Sequence, residues 1–270
     1  MSIAELLEKQ KELHFKAGLY HFTQVSMAYN SNKIEGSQLT EEEIRHIYEN
    51  NTVTILDDKQ EIHIDDIIET INHFRMFDYM LSVCNQPLTE EIIKEFHHLL
   101  KRGTYDEGLE WFNVGEYKSM DNQIGDVVTA SPEDVPRVMQ ELLAEYGKIS
   151  NPTFEDIVTL HVKFERIHPF QDGNGRVGRM MIFKECLKND IMPFINHDAN
   201  KKYYYQGLQE FDKHREYLFD TCLAAQEEYA KIVERFSKYD ETESAFEDDF
   251  DDVFEYDEEF VWEEENIYDD

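Results

Sequence analysis

The sequence predicts an all-α protein: a helical bundle with one β-hairpin and an acidic C-terminal tail. Three observations carry this. Apolar residues recur at helical spacing through most of the first 239 residues. Only one stretch is short, β-prone and interrupted by turn residues. The last 31 residues, 240–270, hold 17 of the chain's 59 acidic side chains and no Lys or Arg.

The helical spacing covers residues 3–17, 64–83, 92–100, 135–146, 157–167, 180–187 and 217–236. Start signals support several helices. Thr40 and Glu43 form a capping box for a helix over 40–50, and Thr153 with Asp156 opens another. Ser131, Pro132, Glu133 and Asp134 supply a cap, a first-turn proline and two acids. The β-prone segments are 114–118 and 126–129, with turn residues Asp121, Asn122, Gln123, Ile124 and Gly125 between them. A lone hairpin is marginal unless it packs on helices. Beside a site it is suited to pairing with an extended peptide.

The chain has 270 residues and a formal charge of −33. That length buries a sizeable core. Charge of that sign repels phosphate backbones and argues against direct nucleic-acid binding. No apolar run is long enough to cross a membrane, and the N-terminus lacks a signal-peptide pattern. Cys84, Cys186 and Cys222 are an odd set without CxxC spacing. They read as free thiols of a cytoplasmic protein. The tail's like charges resist collapse, so it is expected to be disordered alone. Phe246, Phe250 and Phe254 recur every four residues within it, a spacing suited to helix formation on a basic partner.

Residues 168–179 carry the chemistry. They contain GxGxxG at Gly173, Gly175 and Gly178, but a helix and His168-Pro169 precede it and no βαβ unit surrounds it. The dinucleotide-binding reading therefore fails. The glycines still allow a tight turn into a helix N-terminus, whose free N–H groups bind anions. Arg176 and Arg179 share a helical face. Asp172 is a hard oxygen ligand suited to Mg2+ on phosphates. His168 is a base with an unperturbed pKa near neutrality. Phe170 reads as core. Together these residues form a candidate phosphate-transfer site.

The run His168, Pro169, Phe170, Gln171, Asp172, Gly173, Asn174, Gly175, Arg176, Val177, Gly178, Arg179 resembles the Fic-domain signature HxFx(D/E)GNGRxxR without a departure. Upstream, residues 114–130 resemble that family's flap hairpin. Near the N-terminus, Ser31, Glu35 and Gly36 fit its inhibitory motif, (S/T)xxxE(G/N). The resemblance divides the chain into N-terminal helices (1–60), a Fic core (61–238) and the tail (239–270).

The resemblance implies transfer of AMP from ATP onto a target-protein hydroxyl. His168 is then the general base, and Asp172 holds Mg2+. Gly173, Asn174 and Gly175 stabilise developing charge. Arg176 binds the triphosphate and Arg179 the γ-phosphate, with Val177 and Gly178 in the same turn. Asn122, Gln123, Ile124 and Gly125 lie over the nucleotide, and Tyr204 and Asp212 line the adenosine side. Glu35 pairs with Arg179 and blocks the γ-phosphate, while Ser31 and Gly36 shape the end of its helix. The implied partner is a target protein gripped by the flap, with self-modification and homodimerisation also expected of the family. The alternatives are AMP removal, transfer of another nucleoside monophosphate, and a binding role for the acidic tail.

Overall fold

The computed structural model describes residues 1–15, 18–53, 61–124 and 127–239. The acidic tail, residues 16–17 and 54–60, and Gly125 and Asp126 lie outside them. The described chain is mostly helical. Its helices are α1 (Ile3–Glu12), α2 (Leu19–Ile34), α3 (Glu41–Asn50), α4 (Ile64–Ser82), α5 (Glu90–Lys101), α6 (Val135–Tyr146), α7 (Phe154–Ile167), α8 (Asn174–Lys188), α9 (Lys201–Glu210) and α10 (Arg215–Tyr239).

Local chemistry starts these helices where the sequence signals it. Thr40 and Glu43 form a reciprocal capping box at α3, as do Thr153 and Asp156 at α7. A third box, Ser2 with Glu5, starts α1. Helix α6 covers the 135–146 of its apolar spacing, three residues past the Pro132 that the start signal placed in its first turn. Residues 132–134 form a turn closed by Val135 N–H donating to Ser131 O, and Pro136 is the first-turn proline.

Helix α8 is the axis of the fold. It packs against α1, α2, α4, α5 and α7, and nearly every residue from Asn174 to Leu187 is buried. Its neighbours contribute Met27, Phe77, Met80, Phe96, Leu100 and Phe164 to one continuous core that also includes α1 and α10. A smaller cluster of Val25, Ala28, Leu39, Ile44 and Ile47 seats α3 on α2. Gly178 permits the close contact of α7 with α8. A Cβ there would stand 2.7 Å from Glu165 Oε1 and 2.8 Å from the His161 ring.

The hairpin region differs from expectation. The ladder is two residues on each side, β1 (Gln123–Ile124) antiparallel to β2 (Val127–Val128). Residues 114–118 form no strand. Gly115 adopts φ 79° and donates its N–H to His97 Nδ1, and Lys118 donates its N–H to Pro169 O. Those backbone groups bind the helical body where a hairpin would have paired them with each other.

Candidate active site

The site forms where α7 ends and α8 begins. His168 is the C-cap of α7 in the left-handed region, φ 52° and ψ 61°, with its N–H on Phe164 O. A non-glycine residue there needs its surroundings to hold it. Phe170 supplies the hold. It is fully buried and stacks on His97 with ring centroids 4.1 Å apart. Asn174 clamps the same residue, accepting from Phe170 N–H and donating to Phe170 O, both at 2.8 Å. The Asn174 amide thus shapes the loop. Gly173 caps α8 at φ 78°, a conformation that favours glycine. The N–H groups of the first turn then face outward as an anion site.

Two buried arginines stand behind that turn. Arg176 pairs with Glu69 of α4, and its other nitrogen reaches Asp172 Oδ2 at 3.2 Å. Lys101 of α5 joins the cluster, donating to Glu69 at 2.6 Å, Asp172 at 2.8 Å and Asp106 at 2.9 Å. Glu69 therefore compensates two buried cations at once. Burial works against the charge on Asp172, but Arg176, Lys101 and the Gly173 N–H outweigh it. They hold the carboxyl well below the usual range.

Arg179 sits in a second cluster. Its Nε donates to Ser31 Oγ at 3.0 Å, and one terminal nitrogen reaches Ser31 O at 2.9 Å and Glu35 Oε1 at 2.7 Å. Its guanidinium also lies 6.0 Å from the Tyr204 ring centroid. Glu35 is the C-cap of α2, and Gly36 follows at φ 102°. The Glu35 carboxylate lies over the first turn of α8, since a Cβ on Gly175 would collide with its Oε1. A carboxylate thus occupies part of the Arg179 guanidinium above that turn.

His168 is half-buried, and its Nδ1 lies 3.3 Å from Glu165 O. A carbonyl only accepts, so Nδ1 carries the proton and Nε2 keeps its lone pair. Burial lowers its pKa. Lys118 lowers it further, against the Glu165 carbonyl, Glu35 and Asp172. The imidazole is therefore neutral and basic at Nε2 near pH 7.

The motif positions converge, but in different roles. Gly173, Asn174, Gly175 and Arg176 form the first turn beside Asp172, whereas the Val177 side chain is fully buried. Tyr204, also buried, joins His161 Nε2 at 2.5 Å beneath Arg179. Tyr203 and Tyr205 are 44% exposed, which fixes the inward-facing member of the three as Tyr204. Asn122 donates to Phe170 O at 2.9 Å, and Gln123 lies exposed in β1. The Ile124 side chain and Gly125 lie outside the described part. Asp212 is not brought into the arginine clusters. It is exposed and pairs with Arg166 at 2.9 Å. Among the described residues no group of three His, Cys, Asp or Glu could hold a metal.

Sequence reasoning missed Glu69, Lys101, Lys118, His161 and Glu165. A signal existed for the first. Glu69 and His73 fall in helical register with Met76 and Met80, so polar residues interrupt a buried stripe. Glu165 is 9% exposed, and its Oε1 has no hydrogen-bond partner. Burial pushes its carboxyl up to about 8, with Arg179 pulling down and Glu35 pushing up.

Comparison with known proteins names the family that this fold and site resemble. Residues 87–185 match the Fic/DOC family model. A protein adenylyltransferase Fic of Nematostella vectensis is 26% identical over 190 residues, 67% of this chain and 42% of that protein. Its counterpart in Drosophila melanogaster is 28% identical over 190 residues, 67% of this chain and 36% of that one. A probable protein adenylyltransferase of Aquifex aeolicus is 25% identical over 221 residues, 74% of this chain and 67% of that one. The chain spans about two fifths of the Nematostella relative's length. A Fic-domain signalling protein of Bacteroides thetaiotaomicron shares the fold at TM-score 0.63 and 23% identity, covering 87% of this chain and 91% of its own. Fic-1 of C. elegans superposes at TM-score 0.64 and 18% identity, over 87% of this chain and 72% of its own.

Proposed function

We propose that this chain is an autoinhibited protein adenylyltransferase that moves AMP from ATP to a hydroxyl of a target protein. The observation that carries the reading is the pairing of Glu35 with Arg179 above a complete HxFxDGNGRxxR turn. The relatives' names support the reaction class.

In this reading His168 Nε2 takes the proton from the target hydroxyl, and the oxygen attacks the α-phosphate in line as pyrophosphate leaves. The N–H groups of the first turn of α8 meet the phosphate oxygens. Arg176 lends charge from behind, and Arg179 receives the γ-phosphate once Glu35 has withdrawn. Asp172 suits Mg2+. It is ionised and half-exposed, and it bonds its lysine and arginine through Oδ2. A single carboxylate with phosphate oxygens and water is a common Mg2+ ligand set, and the ion would neutralise charge on the phosphates.

The test is incubation with α-labelled ATP and Mg2+, with and without cell lysate. Glu35→Gly is expected to label protein far more than the unaltered chain, and Glu35→Gly with His168→Ala to label none. Equal labelling with and without Glu35 would refute autoinhibition. No labelling by any variant would refute AMP transfer.

A further inference from the structure

One cation at the site has no carboxylate partner. Lys118 is 3% exposed, and among the described residues no carboxylate lies within ion-pair distance of it. Its Nζ donates to two neutral oxygens, Asn122 Oδ1 at 2.6 Å and Thr129 Oγ1 at 2.8 Å. Every other connection of this knot runs to the catalytic loop or within the knot itself. Lys118 N–H donates to Pro169 O at 2.9 Å, and Asn122 Nδ2 to Phe170 O at 2.9 Å. Thr129 Oγ1 donates back to Asn122 O at 3.0 Å. Pro169 and Phe170 directly follow His168 in the chain.

A buried lysine without a counter-ion is costly, and an amide or glutamine would brace the loop without that cost. The lysine therefore needs a reason beyond bracing. His168 supplies one. The charges acting on its imidazole are Lys118 from the 118–129 segment, Glu35 from the end of α2 and Asp172 from the loop. The two carboxylates favour the imidazolium, which cannot act as a base. Burial opposes them first, and among these three charges Lys118 alone adds to it.

We propose that Lys118 is a positioning residue for the transfer reaction: its backbone N–H and the Asn122 amide that its side chain holds fasten this segment to the loop presenting His168, and its charge adds to burial in keeping that imidazole neutral. This rests on the AMP-transfer reading for its purpose, but not for its test. Burial brings the Lys118 amine down to about 8, with Asp121 pulling the other way. The device therefore weakens as pH rises past that value, where His168 no longer needs it.

The test is a titration of the full chain followed through the imidazole carbon resonances in NMR, with His168→Ala assigning the signal. Lys118→Gln keeps a hydrogen-bond donor and removes the charge. Lys118→Arg keeps the charge. The His168 midpoint is expected to rise in Lys118→Gln by more than the difference between Lys118→Arg and the unaltered protein. No rise in Lys118→Gln overturns the proposal, and so does an equal rise in both variants, which would indicate geometry alone. A measurement on the unaltered chain guards against misfolding of the glutamine variant. There the His168 signal is expected to show a second step near pH 8 that vanishes in Lys118→Arg. Glu165 titrates in the same window, and persistence of the step in Lys118→Arg would assign it to Glu165 and overturn the proposal. The titration uses neither nucleotide nor target, so its outcome is independent of whether AMP is the group moved.

Discussion

Replacing Glu35 by glycine tests the competition between a carboxylate and a phosphate for Arg179. The substitution deletes one charge-assisted hydrogen bond, 2.7 Å long, between a buried guanidinium and a carboxylate that keeps 30% of its side-chain surface exposed. Arg179 retains Ser31 Oγ and Ser31 O, so its donors are not orphaned. Glu35 ends α2, so the helix should persist, but the buried guanidinium loses its carboxylate and the thermal midpoint should fall. A hydrogen bond to a charged group contributes about 1.5–3 kcal/mol. ATP binding to the unaltered chain must first break this contact. Removing it should tighten ATP binding roughly 10- to 150-fold.

AMP has no γ-phosphate to place on Arg179, so its affinity should barely change. Calorimetric titration of both nucleotides into both proteins, with Mg2+, reads the difference directly. Tightening of ATP alone fits the competition. An equal change for ATP and AMP would refute it, because the effect would then be a general loosening of the pocket. Unchanged ATP affinity would refute it too. Raising ionic strength should shrink the effect only partly, since Arg179 is buried and screening acts mainly on exposed pairs.

The other expectations concern buried charge. Glu69→Ala strips Arg176 and Lys101 of their shared partner and should cost about 3–5 kcal/mol, read as a lowered thermal midpoint; a change near zero would show the cluster relaxes around water. Glu165→Gln should shift stability with pH in a definite sense. The folded carboxyl stays protonated to about 8, whereas the unfolded one ionises near 4.3. The folded state therefore binds more protons between those values, and stability of the unaltered chain falls as pH rises through them. Glutamine lacks that slope, so denaturant melts should show Glu165→Gln gaining on the unaltered protein from pH 5 to 8. Parallel pH profiles would place an ionised Glu165 against Arg179.

What the sequence made legible depends on how each residue is buried. Helices with one wet face, such as α5, α6 and α7, show their apolar stripe directly. Helix α2 does not, because 14 of its 16 residues are buried and α1, α3, α4, α8 and α10 surround it. A helix enclosed on all sides has no polar face to set a period. The inhibitory role proposed for it is legible only through Ser31, Glu35 and Gly36, which a motif can mark although periodicity cannot. Helix α8 shows the same effect. Periodicity marked 180–187, and only the glycines and arginines pointed to its true start at Asn174.

The same physics separates the legible half of the site from the hidden half. Residues 168–179 are contiguous, so their spacing is written in the chain. Glu69, Lys101, Lys118 and Glu165 reach the site from four other segments, and apart from Glu69, which interrupts an apolar stripe, each looks like an ordinary surface charge until the fold buries it. The β-prone run at 114–118 misled for a related reason. Its backbone is suited to pairing, but the nearest acceptors are His97 and Pro169 rather than a sister strand. Local propensity chose the shape of that segment, and tertiary contact chose its partner. The hidden residues share one property, a charge whose counter-charge or target is distant in sequence. Arg176 and Arg179 are three residues apart with similar burial, yet one is neutralised permanently by Glu69 from inside a helix and the other by Glu35 at a helix end. An anion can displace the second far more easily than the first. The difference between a fixed and a releasable arginine is therefore made by α4 and α2, and the motif that contains both arginines does not encode it.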